Sequence, residues 1–191
     1  MLNKLAVKIT SKLLLQKVIS ENLADIYIYG FELLLSFLFS TSVVLVIGIL
    51  CDRLFQTIAF LLVFVALRSF TGGYHAKKYW VCTVVTLSTF CLTLLLSEFL
   101  KVSLLLYVIL GIVGLVLIAK FVPIENPNKP LSEEQRGKYK IISLILFISF
   151  IAVGIVIDSV WGAISGVIFF TLMADLILLF IRNRKERRID T

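Results

Sequence analysis

The only histidine in the chain, His75, precedes a cysteine, Cys82, by seven residues in the stretch 68–82, RSFTGGYHAKKYWVC. A thiol attacks carbonyls as the thiolate, and imidazole is the side chain suited to take its proton near neutral pH. Three cations flank the pair, Arg68, Lys77 and Lys78, and cations together with a helix N-terminus favour a thiolate. A continuous helix would place His75 and Cys82 on one face but about 10 Å apart along the axis. A nucleophile–base hydrogen bond needs about 3 Å. Residues 72–78 are therefore expected to leave simple helix geometry, with Gly72 and Gly73 supplying a turn that folds His75 back over the helix start. Backbone N–H groups at that turn are a candidate oxyanion site. The other reading is an isolated interfacial histidine beside a cysteine that merely packs, and spacing alone leaves both open.

The elements that must hold this pair are membrane spans. Sixty per cent of the residues are hydrophobic, only 16% are charged and the mean hydropathy is +1.04. A soluble domain carries about a quarter charged residues. A span needs about 20 apolar residues, and six runs approach that length: 29–51, 54–67, 79–100, 102–119, 141–157 and 159–181. The expected fold is all-α, a six-helix bundle over 29–181 with the Cys–His site at 68–82. Residues 1–28 precede it as an amphipathic interfacial segment, and 182–191 form a basic tail. In the first segment Lys4, Lys8 and Lys12 line one face and Leu5, Ile9 and Leu13 a neighbouring one, the pattern of a helix lying on a membrane surface. All 19 basic residues except Arg53 and Lys101 fall on one side of this topology. The positive-inside rule then makes that side, with both termini and His75, cytosolic. The second run is the weak link, because a re-entrant segment there would put the termini on opposite sides. The net charge of +7 is read as orientation and anionic-lipid contact rather than nucleic-acid binding.

Three cysteines without regular spacing make neither a disulfide framework nor a zinc pattern, and one histidine excludes a His-rich metal site; no cofactor is expected. Cys91 falls on the opposite helix face from Cys82 and, like Cys51, reads as a packing residue. Acidic residues inside spans are costly and often functional. Glu32 is expected on the same level as His75, either orienting the imidazole or pairing with Arg68 or a lysine. Asp175 is expected to pair with Lys140 or a tail arginine, and Glu98 and Asp158 to be solvated. The loop from Lys120 to Lys140 holds all three prolines and a helix-start signal at Ser132. Its Lys129, Arg136 and Lys138, with Arg68, Lys77 and Lys78, are candidate contacts for an acidic peptide. The arginines from Arg182 to Arg188 read as a stop-transfer and lipid anchor.

The block from Arg68 to His75 with Cys82 seven residues on, the loop 122–131 (VPIENPNKPL) and residues 29–32 (YGFE) together resemble the accessory gene regulator B (AgrB) family of membrane cysteine endopeptidases. The resemblance extends along essentially the whole chain. It implies a bacterial multi-pass membrane enzyme of a quorum-sensing circuit, acting as a homodimer on a small AgrD-like precursor peptide made in the cytosol. Cys82 would be the nucleophile and His75 its base. The acyl-enzyme thioester would then be attacked by a precursor side chain to give a cyclic thiolactone or lactone. The alternative class is a non-catalytic membrane module that binds or exports a peptide.

Overall fold

The computed structural model describes residues 2–71, 79–123 and 132–187. Seven helices follow in order: α1 (Leu2–Leu15), α2 (Ala24–Leu50), α3 (Leu54–Thr71), α4 (Tyr79–Phe99), α5 (Leu104–Phe121), α6 (Glu133–Asp158) and α7 (Gly162–Arg187), with a short 3-10 turn at Glu21–Leu23 before α2. The six from α2 to α7 are long and apolar enough to cross a membrane. With α1 preceding them, the protein is a multi-pass membrane protein. An even number of crossings brings α1 and the end of α7 to the same end of the bundle, here called the terminal end.

The span limits differ from the sequence expectation where polar residues interrupt apolar runs. α3 continues through Arg68 to Thr71 and reaches 18 residues, about 27 Å at 1.5 Å per residue. α6 begins at Glu133, eight residues before its apolar run. There the Ser132 hydroxyl accepts from Gln135 N–H and the Gln135 side chain accepts from Ser132 N–H, a complete capping box. α1 ends where Lys17 takes φ 53° and Val18 N–H reaches back to Leu13 C=O. α2 ends in the same way at Asp52, φ 56°, with Arg53 N–H on Gly48 C=O. Both are Schellman stops built without glycine.

α1 packs on α2, but through Ala6 and Thr10, which are buried. Leu5 and Val7 stay exposed. The small face therefore meets protein, and the lysines and larger apolar residues are left for the surroundings.

α7 is the central helix. Over half of its span is buried, 56%, against 17–33% for the other five. Contacts between α2 and α4, α4 and α7, α7 and α3, and α3 and α2 close a four-helix ring. Its middle is filled by Val44, Phe60, Phe64, Phe90 and Val167, one cluster drawn from all four helices. Phe60 stacks on Phe64 and tilts against Phe90, with ring centroids 5.1 Å apart in both pairs. On the other side of α7, α6 packs on α3 and α5 packs on α6 and α7, around a second cluster that includes Leu67, Tyr107, Phe147 and Leu172. Helices in lipid gain little from apolar burial alone and associate through close packing and hydrogen bonds. Gly114 fits the Phe147 ring, Gly154 fits Tyr107, and Tyr107 Oη donates to Ser165 C=O at 2.7 Å.

Candidate functional site

Two contacts fix the depth of the α4 start. Ser40 of α2 and Thr83 of α4 share a hydrogen bond of 2.9 Å, and Arg53, just past α2, bonds Glu98 near the end of α4 at 2.6 Å. α2 and α4 therefore run parallel. Ser40 Oγ also lies 2.9 Å from Ser36 C=O, to which it donates. The Ser40–Thr83 bond ties the first turn of α4 to α2 one residue from Cys82.

Cys82 is half-buried in that first turn. Its carbonyl accepts from the Thr86 hydroxyl at 3.0 Å. Around this level the ring lining turns polar. From the plug residue Val44 toward the terminal end, the buried line of α2 reads Ser40, Ser36 and Glu32. From Phe90, α4 offers Thr86, Thr83 and Cys82, and from Phe64, α3 offers Arg68 and Thr71. The ring is thus aromatic and closed in its middle, and the helix turns at its terminal end carry hydroxyls, a thiol and charges.

Glu32 is buried at 8% exposure and accepts from Asn3 Nδ2 at 2.5 Å. Seven residues separate it from the position on α2 level with Cys82, which places it about 10 Å nearer the terminal end. It lies outside hydrogen-bond reach of the thiol. A part in the chemistry would therefore run through His75, which, with Gly72, Gly73, Lys77, Lys78 and Lys129, lies outside the described residues. The expectation of a non-helical 72–78 lies there too.

Arg136 pairs with Glu133 at 3.2 Å and Lys138 with Glu134 at 2.6 Å, all on the surface of α6. These candidate peptide contacts thus face carboxylates of their own helix. Such exposed pairs are weak and exchange readily with a stronger anion. Cys91 and Cys51 are exposed free thiols, Cys91 on a face of α4 away from the ring.

Three charged residues sit differently from the sequence expectation. Glu98 is not simply solvated but bridges to Arg53. Asp175 makes no ion pair with Lys140 or a tail arginine among the described residues, and its Oδ2 is shielded without a hydrogen-bond partner. Arg182, expected to open the lipid-anchoring tail, is only 8% exposed. Ser97 of α4 meets Gly166 of α7, and these two helices run antiparallel. Cys82 lies fifteen residues from that crossing and Arg182 sixteen, so both stand at about the same depth, roughly 22–24 Å away. The residues that sequence reasoning missed are Asn3, the Ser40–Thr83 pair and Arg182. The repeat Glu32, Ser36, Ser40, Val44, Gly48, small or polar at every fourth position of an apolar run, was a readable sign that α2 turns a packed polar face inward.

The model of the family described as Accessory gene regulator B matches residues 2–181. The chain is similar to the "Putative AgrB-like protein 2" of Clostridium perfringens, 29% identical over 203 residues and covering 95% of each chain. It is also similar to the "Accessory gene regulator protein B" of Staphylococcus saprophyticus, 26% identical over 130 residues, 68% of this chain and 69% of that one. No solved structure matches it. With a family model covering nearly its whole length, and with six spans, the chain belongs to the accessory gene regulator B family.

Proposed function

We propose that this protein is a membrane-embedded cysteine endopeptidase that cleaves a cytosolic signalling-peptide precursor and cyclises it. The single observation that carries the reading is the place of Cys82: a half-buried thiol in the first turn of α4, where the polar end of the ring begins. Partial positive charge gathers at a helix N-terminus, and His75 lies seven residues before the thiol in sequence.

In this reading His75 takes the Cys82 proton as Sγ attacks the carbonyl carbon of the scissile peptide bond. The C–N bond breaks, the proton passes from His75 to the leaving amine, and the acidic tail of the precursor departs. The remaining acyl group is a thioester on Cys82. A thiol or hydroxyl of the precursor then attacks that carbonyl, loses its proton to His75 and expels the Cys82 thiolate, which is reprotonated. The product is a thiolactone or lactone. Thioester exchange is nearly balanced in free energy, so no external energy source is needed for a thiolactone. Keeping water scarce at the membrane interface favours transfer to the internal nucleophile over hydrolysis. Gly72 and Gly73 would turn the chain and offer oxyanion donors, Glu32 would orient His75, and Arg68, Lys77, Lys78, Lys129, Arg136 and Lys138 would meet the acidic precursor. Both termini and the site face the cytosol of a bacterial cell, and the working unit is a homodimer.

Intact mass spectrometry after co-expression with the precursor tests this. A covalent adduct on the wild-type protein, equal in mass to the trimmed precursor less one water and lost in both Cys82→Ala and His75→Ala, is the expected result. Folded wild-type protein with confirmed precursor but neither adduct nor trimmed peptide would replace the reading with that of a binding or export module.

A further inference from the structure

α1 carries three lysines and no acidic residue. Lys4, Lys8 and Lys12 recur at every fourth position and all three are exposed. None of them enters an ion pair among the described residues. Like charges four residues apart on a helix repel one another, so this row is favourable only against something anionic. Leu5 and Val7 flank the row and are exposed as well.

The opposite face of α1 is built into the bundle. Ala6 is completely buried and Thr10 nearly so, where α1 packs on α2. Lys8 stands two residues from each of them, about 200° around a helix of 3.6 residues per turn. At the start of α1, Asn3 Nδ2 donates to Oε1 of Glu32 at 2.5 Å, and that carboxylate is itself buried on α2. These contacts turn the lysines away from protein. They also set the depth of α1. About twenty helical residues cross the roughly 30 Å apolar layer of a membrane. Counting about that many back from the stop of α2 at Asp52 reaches Glu32. Asn3 is therefore held where the apolar layer gives way to headgroups. The chain rejoins α2 at Ala24, about 12 Å further out than Glu32, which keeps α1 beside the headgroup layer.

We propose that the outer face of α1 is a binding site for anionic phospholipid: Lys4, Lys8 and Lys12 meet the headgroup phosphates, Leu5 and Val7 enter the boundary with the acyl chains, and Asn3, Ala6 and Thr10 hold the helix on α2. A basic stripe with apolar flanks is the pattern that binds the membrane interface. Phosphatidylcholine carries its own cation beside the phosphate, so a row of three lysines selects lipids of net negative charge. A soluble acidic peptide would satisfy the lysines but leave Leu5 and Val7 in water. The site is independent of the Cys–His chemistry.

Native mass spectrometry of the full-length protein in detergent tests this. The protein is equilibrated with equimolar phosphatidylglycerol and phosphatidylcholine of the same acyl chains, and the ratio of the two among the first bound lipids is read. Wild type prefers phosphatidylglycerol. The triple variant Lys4→Gln, Lys8→Gln, Lys12→Gln lowers that preference at least about fivefold, the factor expected for even one cation beside an anionic surface. The corresponding triple arginine variant keeps it. A glutamine variant within about twofold of wild type would overturn the proposal and place lipid selection on other cations of the chain. Ala6→Phe keeps all three lysines but displaces α1 from its seat, and the preference falls there too. An unchanged preference in Ala6→Phe would mean attraction to loose charges rather than a built face, and would overturn the proposal. Should Ala6→Phe fail to fold, Asn3→Ala takes its place under the same criterion. Hexaglutamate, added with phosphatidylcholine alone, probes the peptide alternative. Hexaglutamate adducts lost in the glutamine variant, with its phosphatidylglycerol preference unchanged, would assign the face to an acidic peptide instead.

Discussion

Substituting Gly48 by alanine tests the packing that holds the α2–α3 side of the ring. A Cβ built at Gly48 would overlap the Thr57 hydroxyl and stand 2.7 Å from Thr57 Cβ and 2.8 Å from its Cγ2. Thr57 is completely buried, and its hydroxyl donates to Arg53 C=O at 2.8 Å. Rotating that side chain cannot move its Cβ. The helices must therefore part by about 1 Å to restore ordinary contact, loosening Val44 and Phe60 nearby. Overpacking of this kind costs about 1–3 kcal/mol. For a chain of this size that corresponds to a fall in Tm of about 2–4 °C per kcal/mol, so roughly 2–12 °C. Fluorescence-detected size-exclusion chromatography after heating in mild detergent measures it. Gly48 lies eight residues beyond Ser40, about 12 Å further from the terminal end, so Cys82 reactivity at 25 °C should not change. Thr57→Gly on top of Gly48→Ala moves the notch to the facing helix and should recover part of the loss. A Gly48→Ala protein melting within about 1 °C of wild type, or one left unrescued by Thr57→Gly, would refute the close-packing argument.

The remaining expectations concern the thiols, the surface ion pair and the α6 cap. In wild type Cys82 should be alkylated faster than in His75→Ala, while the rates at Cys51 and Cys91, both away from the ring interior, stay the same; peptide mass mapping of the labelled protein distinguishes the three. Arg53 and Glu98 are 38% and 50% exposed, so a double-mutant cycle of their alanine variants should give a coupling under about 1 kcal/mol that shrinks with added salt. Ser132→Ala should remove one half of the capping box and cost about 1 kcal/mol, seen as roughly fivefold faster amide exchange in the first turn of α6 and little change elsewhere.

Much of this protein was legible before any fold. Apolar runs bounded by Asp52-Arg53 or the basic tail mark the spans, because lipid offers the backbone no partner and a helix satisfies its own. The Ser132 start of α6 was readable from its cap, since capping is a contact between residues three apart. Residue types and spacing singled out His75 and Cys82, while their pairing and the Gly72-Gly73 turn fall on residues outside the described ones. What the sequence could not show is which face of each helix meets which neighbour. In lipid both faces of a span can be apolar, so hydrophobic periodicity loses its meaning, and packing is chosen by notches such as Gly48 and by hydroxyls such as Ser40. For the same reason α1 turned Ala6 and Thr10, not its leucines, toward α2. Asp175 looked free to pair with Lys140 or a tail arginine, and Arg182 looked bound for the lipid surface. Only the central place of α7 shielded the Asp175 Oδ2 and buried Arg182 at the depth of Cys82. Local chemistry is written in neighbouring residues. The partners of a buried charge are set by contacts distant in sequence, and these exist only once the helices have packed.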